Sequence, residues 1–126
     1  MPSERPRPTE SELAILRILW RLGPSTVRQV VDASEPGTGY TTILKLLQIM
    51  TEKGLVSRDD SDRSHVFSPA QSEEATQRQL VDDLLDRAFG GSSQKLVLQA
   101  LSGRRPSAAE LVELRNLLNT LESRRR

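Results

Sequence analysis

A chain of 126 residues with 36% apolar, 28% charged and 3% aromatic residues has the size of one globular domain or two small units, with an interior left to Leu, Ile and Val in a mostly helical composition. The absence of cysteine excludes disulfides, thiolate metal sites and cysteine catalysis, and no run approaches the roughly 18 apolar residues of a membrane span. Net charge is +1, with 9 Lys/Arg against 9 Asp/Glu before Pro69 and 9 against 8 from there on, so a polyanionic partner must be met by a local patch and not by the whole surface.

The start, "MPSERPRPTESE", lacks the apolar stretch of a signal peptide and reads as a disordered arm over residues 1–8 of a cytoplasmic protein. At "TESE" the Thr9 hydroxyl and the Glu12 carboxylate form a capping box for a helix from about residue 10 to Leu22, closed by Gly23 and Pro24. Its apolar residues surround most of the circumference and leave mainly Glu12, Arg17 and Arg21 for water, so this helix is packed from more than one side. "STVRQVVDAS" gives a short second helix with Ser25 or Thr26 as its cap and Val27, Val30 and Val31 at helical spacing.

After "EPGTG", the stretch "YTTILKLLQIMTEKGLV" forms a third helix stopped at Gly54, a residue suited to a left-handed cap. On a wheel, Leu46, Leu47 and Met50 fall within about 60° of Ile43 and make the core face. Tyr40 shares that side, which favours inward packing, though its hydroxyl could also reach a phosphate. Thr41, Lys45, Gln48 and Glu52 fall within about 40° of the opposite pole, and Thr42, Leu44 and Ile49 lie on the flanks. Leu44 and Ile49 suit either thymine methyls or a wider core.

"LVSRDDSDRSHVF" then reads as a β-hairpin whose turn is supplied by Asp59, Asp60, Ser61 and Asp62. Three helices followed by a two-stranded wing is the order of a winged helix-turn-helix, here over residues 9–69. In that fold the outer face of the third helix enters the major groove, which places Thr41, Thr42, Lys45 and Gln48 at base edges. Arg28, Lys53, Arg58, Arg63 and His65 are the candidates for backbone contacts. The aspartates put negative charge at the wing tip, so the tip is expected to stand away from DNA, with Arg58 and Arg63 at its base making contact.

Residues 70–126 are helical again. "QSEEATQRQLVDDLLDRAF" places Leu80, Val81, Leu84, Leu85 and Ala88 on one stripe, and "SQKLVLQAL" is too apolar to stand in water. The last helix starts at a Ser107/Glu110 capping box and carries Leu111, Leu114, Leu118 and Leu121 as a heptad seam, too short to stand without a neighbour. No Gly-rich phosphate loop, paired-histidine metal motif or nucleophile elbow occurs, and His65 is the sole histidine, so neither an enzyme nor a cofactor or metal is expected.

In "TESELAILRILWRLGPSTVRQVV", "YTTILKLLQIMTEKGLVSRD" and "RSHVFSP" the chain resembles the penicillinase-repressor family, the BlaI/MecI/CopY group, over about residues 9–121. The resemblance implies a mainly α, homodimeric winged-helix repressor on dyad-symmetric operators in double-stranded DNA. Its C-terminal helices would form the dimer interface through Leu84, Leu96, Leu98, Leu101, Leu111, Leu114, Leu118 and Leu121. It also implies a sensor protease acting on the fifth helix, where some members carry Asn-Phe and this chain carries Gln99 and Ala100. The cysteine pairs of the copper-responsive members are absent. The rival reading, favoured by near-zero net charge and the acidic wing tip, is a winged helix that docks a protein partner instead of DNA.

Overall fold

The computed structural model describes residues 6–125, and the remainder of the expected N-terminal arm, residues 1–5, lies outside them. The elements are α1 (Glu10–Leu22), α2 (Val27–Ala33), α3 (Tyr40–Lys53), β1 (Val56–Asp59), β2 (Val66–Pro69), α4 (Glu73–Ala88), α5 (Ser93–Gly103) and α6 (Ala108–Arg124). Three helices followed by an antiparallel two-stranded hairpin, then three more helices, is the mainly helical winged arrangement expected. The chain divides into two compact units, one running through Val81 and the other from Asp82. That division falls inside α4, twelve residues beyond the hairpin's end at Pro69.

The first unit is organised by one core. Ile15, Leu16 and Leu19 of α1 meet Val27 and Val30 of α2, Ile43, Leu47 and Met50 of α3, and Val56 and Phe67 of the hairpin. Full burial of such side chains contributes roughly 1.5–3 kcal/mol each, which is what fixes α3 against the other two helices. The capping boxes expected at Thr9 and Ser107 are present, and Thr26 rather than Ser25 caps α2, in reciprocal hydrogen bonds with Gln29. Ser25 has another task. It is buried, its N–H donates to Phe67 O at 3.0 Å and its carbonyl accepts from Phe67 N–H at 2.8 Å, so the segment between α1 and α2 pairs with the wing.

α3 ends in a Schellman-type cap. Gly54 has φ +83, its N–H donates to Thr51 O, and the Leu55 N–H reaches back to Met50 O at 2.9 Å. The chain is thereby turned straight into β1. Beyond the wing, Trp20 Nε1 donates to Gln71 O at 3.0 Å and Thr76 in the second turn of α4 is buried, so the start of α4 belongs with the winged helix.

The expectation that Glu12 faces water is overturned. Its side chain is 3% exposed, because besides capping Thr9 it receives the Lys53 Nζ at 2.7 Å. Sequence spacing on one helix cannot register a partner 41 positions away.

In the second unit no residue from Asp82 to Arg125 is buried. Leu84, Val97, Leu98, Leu101, Leu111, Leu118 and Leu121 are all exposed, while Leu85, Leu96 and Leu114 are half-covered. None of the helices of the described residues is long and apolar enough to cross a membrane.

Candidate nucleic-acid interface

The sequence of α3 separates into two faces, and burial follows the separation. Ile43, Leu47 and Met50 are inside, whereas Thr41, Thr42, Lys45 and Gln48 are all exposed. None of these four polar side chains has a hydrogen bond or ion pair among the described residues, so their donors and acceptors are available to a partner. The helix is preceded by Gly39, which offers no side-chain cap, so its first-turn N–H groups also lack a side-chain acceptor. Leu44 packs against the core, while Ile49 is half-buried.

Tyr40, placed by the wheel on the core side, is 43% exposed. It stands in the first turn of α3, where the Arg28 guanidinium lies 5.1 Å from its ring centroid in a cation–π contact between α2 and α3. Arg28 is itself exposed and has no hydrogen bond or ion pair from its side chain among the described residues, so its donors are open to an anion beside the ring.

The hairpin has four residues per strand, paired from Val56 with Pro69 to Asp59 with Val66, and residues 60–65 close it. Arg63, expected at the base of the wing, therefore lies in the closing loop together with Asp60 and Asp62, and His65 lies just before β2. Asp59 shapes the loop by accepting the Ser61 N–H at 2.9 Å, and that bond holds its carboxyl below the usual carboxylate range. Asp60 collects the bases of the wing: Arg58 Nε at 2.8 Å, a second Arg58 nitrogen at 3.1 Å, and His65 Nδ1 at 2.6 Å. Arg63 has no such partner among the described residues. The structure thus groups Arg28 with Tyr40, and Arg58 with Asp60 and His65.

Lys53 stands apart from both groups. Its ammonium is spent on Glu12 and, more weakly, on the Arg7 carbonyl at 3.4 Å. Asp60 orients Arg58 in addition to its turn chemistry, and the partner of Tyr40 sits on α2, where spacing within α3 cannot register it. Among the described residues no group of three or more His, Asp or Glu side chains is placed to hold a metal ion.

A core-packed three-helix unit with a free polar face on its third helix and a two-stranded hairpin following it in sequence defines a winged-helix protein. Comparison with known proteins makes the assignment specific. The family model described as penicillinase repressor matches residues 8–120, and the chain belongs to that family. A transcriptional regulator BlaI from Mycobacterium tuberculosis is 34% identical over 116 residues, covering 89% of this chain and 83% of the relative. A penicillinase repressor from Bacillus licheniformis is 21% identical over 123 residues, covering 96% of each. Among solved structures, a MarR family protein from Bacillus stearothermophilus matches 92% of this chain and 74% of its own, at 19% identity and a TM-score of 0.49.

Proposed function

We propose that this chain is a transcriptional repressor that binds double-stranded DNA as a homodimer on a dyad-symmetric operator. The observation that carries the reading is the free polar face of α3, with Thr41, Thr42, Lys45 and Gln48 exposed and uncommitted on a helix whose other face is locked into the core. Those side chains suit base edges: threonine methyls meet thymine methyls, and Gln and Lys hydrogen-bond to purines. Arg28 and Arg63 suit phosphates, and Arg58 joins them once its bond to Asp60 loosens. The relatives named as a transcriptional regulator and a penicillinase repressor support the same direction.

The homodimer is supported by the second unit, which leaves large apolar side chains on α4, α5 and α6 in water. Exposed apolar side chains in such number suit a protein contact, and a two-fold dimer would supply two recognition helices for the two halves of a palindrome. Relief by a sensor protease is the finer part of the proposal. Gln99 and Ala100 are both exposed, but the bond between them is inside α5, so a protease that takes extended substrate requires α5 to open first.

Selection from a random duplex pool tests the reading. The expected outcome is enrichment of an inverted repeat whose half-sites lie one or two helical turns apart. Failure to enrich any sequence, with capture of a protein partner on the α3 face instead, would favour the protein-docking alternative that the bond of Arg58 to Asp60 supports.

A further inference from the structure

A groove of about 600 Å³ opens between α1, the loop after α2 and the first turns of α3, wholly within the first unit. Small-molecule sites measure roughly 300–1,000 Å³, so the groove has the capacity of one drug-sized ligand. Its walls are apolar where the two helices meet: Ala14 and Ile18 come from α1, Ile43 and Leu46 from α3, and Ile18 and Leu46 are left only half-covered. Apolar surface in a concavity, unlike the same surface on a convex helix, is removed from water by a small molecule on many sides at once.

The charges around the groove are unequal in arrangement. Arg17 and Arg21 both line it, four positions apart on α1 and thus on one side of that helix, and neither has an ion pair or hydrogen bond among the described residues. Two forked guanidinium groups so placed match a single carboxylate or sulfonate. Glu35 and Glu73 also line the groove, singly and from different elements, and they oppose a second anionic group. Thr42 belongs both to this groove and to the exposed polar face of α3.

We infer that the groove is a binding site for a small molecule with an apolar body and one anionic group, clasped by Arg17 and Arg21, and that its occupancy weakens DNA binding by engaging Thr42. The second half rests on the DNA-binding reading above; the first does not.

The full chain is therefore titrated without DNA, using 1-naphthoate as probe, by calorimetry and by amide chemical shifts. Saturable binding is expected, with shifts centred on Ala14, Ile18, Thr42 and Leu46. Affinity falls about tenfold or more in the Arg17→Gln/Arg21→Gln variant, as the loss of charge-assisted hydrogen bonds requires. It falls similarly when Ala14→Leu fills the groove, and for the uncharged 1-naphthylmethanol or the doubly charged naphthalene-1,8-dicarboxylate. Shifts confined to the apolar faces of α5 and α6, or equal affinity in the arginine variant, overturn the site. Anisotropy with DNA from upstream of the gene, at saturating 1-naphthoate, is expected to show at least threefold weaker binding. An unchanged DNA affinity overturns the coupling. Absence of DNA binding in a chain that still takes up 1-naphthoate sustains the site and overturns the DNA reading.

Discussion

Lys53, the last residue of α3, donates a 2.7 Å hydrogen bond to the carboxylate of Glu12 in the first turn of α1, and the acceptor is almost wholly buried. Burial raises the pKa of the Glu12 carboxyl, but the bonds from Lys53 and Thr9 together outweigh it and hold the group below its ordinary value of 4.5. The unfolded chain therefore binds this proton more readily than the folded one. Stability from the pair is complete above about pH 4.5 and is lost as pH falls through the lower folded value. Urea unfolding between pH 7 and pH 3 is expected to show a steeper acid loss in the native chain than in Glu12→Gln, and equal slopes would refute the assignment.

Removal of the amine leaves that carboxylate buried with only Thr9 as a partner. Lys53→Ala is expected to cost about 1–3 kcal/mol of folding stability, while the folded variant keeps its DNA affinity because Lys53 is spent inside the fold. A marked drop in DNA affinity at full folding would return Lys53 to the phosphate contacts.

Among the described residues the side chains of Lys45 and Gln48 have no bonds to lose. Lys45→Ala and Gln48→Ala are expected to leave the melting temperature in place and to weaken operator binding by about 1–3 kcal/mol each. A mobility-shift titration with a matched and a scrambled duplex reads both the loss and the relaxed specificity. Wild-type affinity for both variants would remove α3 from the interface.

Asp60 restrains Arg58 and adds a negative charge to the wing. Asp60→Asn keeps the shape of the loop, releases Arg58 and lowers the repulsion of phosphate, so it is expected to tighten DNA binding several-fold at low salt. Asp60→Asn/Arg58→Ala is expected to lose most of that gain. A weaker Asp60→Asn complex would mean that the Asp60 bonds position the wing for contact.

On α6, Leu118 is 64% exposed in one chain. Leu118→Asp is expected to shift the chain from dimer to monomer in sedimentation, since an aspartate carried into an apolar contact has no partner there. A dimer of unchanged stability would place the interface elsewhere.

Several features shaped by residues within about four positions agree between the sequence reading and the structure. The Thr9 and Ser107 boxes, the Gly54 stop and the burial of Ile43, Leu47 and Met50 are all of that kind. The departures are long-range. Glu12 is buried because Lys53 arrives from another helix, Ser25 is drawn from capping into pairing with Phe67, and Tyr40 leaves the core side for Arg28. The wing was visible as a hairpin, but where its strands stop fixed the place of Arg63, and four-residue strands leave that arginine in the loop. The uncovered apolar residues of the second unit were legible as a seam, because a period of leucines survives without knowledge of what covers it.

Salt dependence of DNA binding tests the central claim most directly. If Arg28, Arg58 and Arg63 of two copies each neutralise a phosphate, the logarithm of the association constant falls linearly with the logarithm of salt concentration, with a slope of about −5. Arg63→Ala, removing one arginine per copy, is expected to reduce that slope by about 2. A flat salt dependence, with the same affinity at low and high salt, would contradict the account.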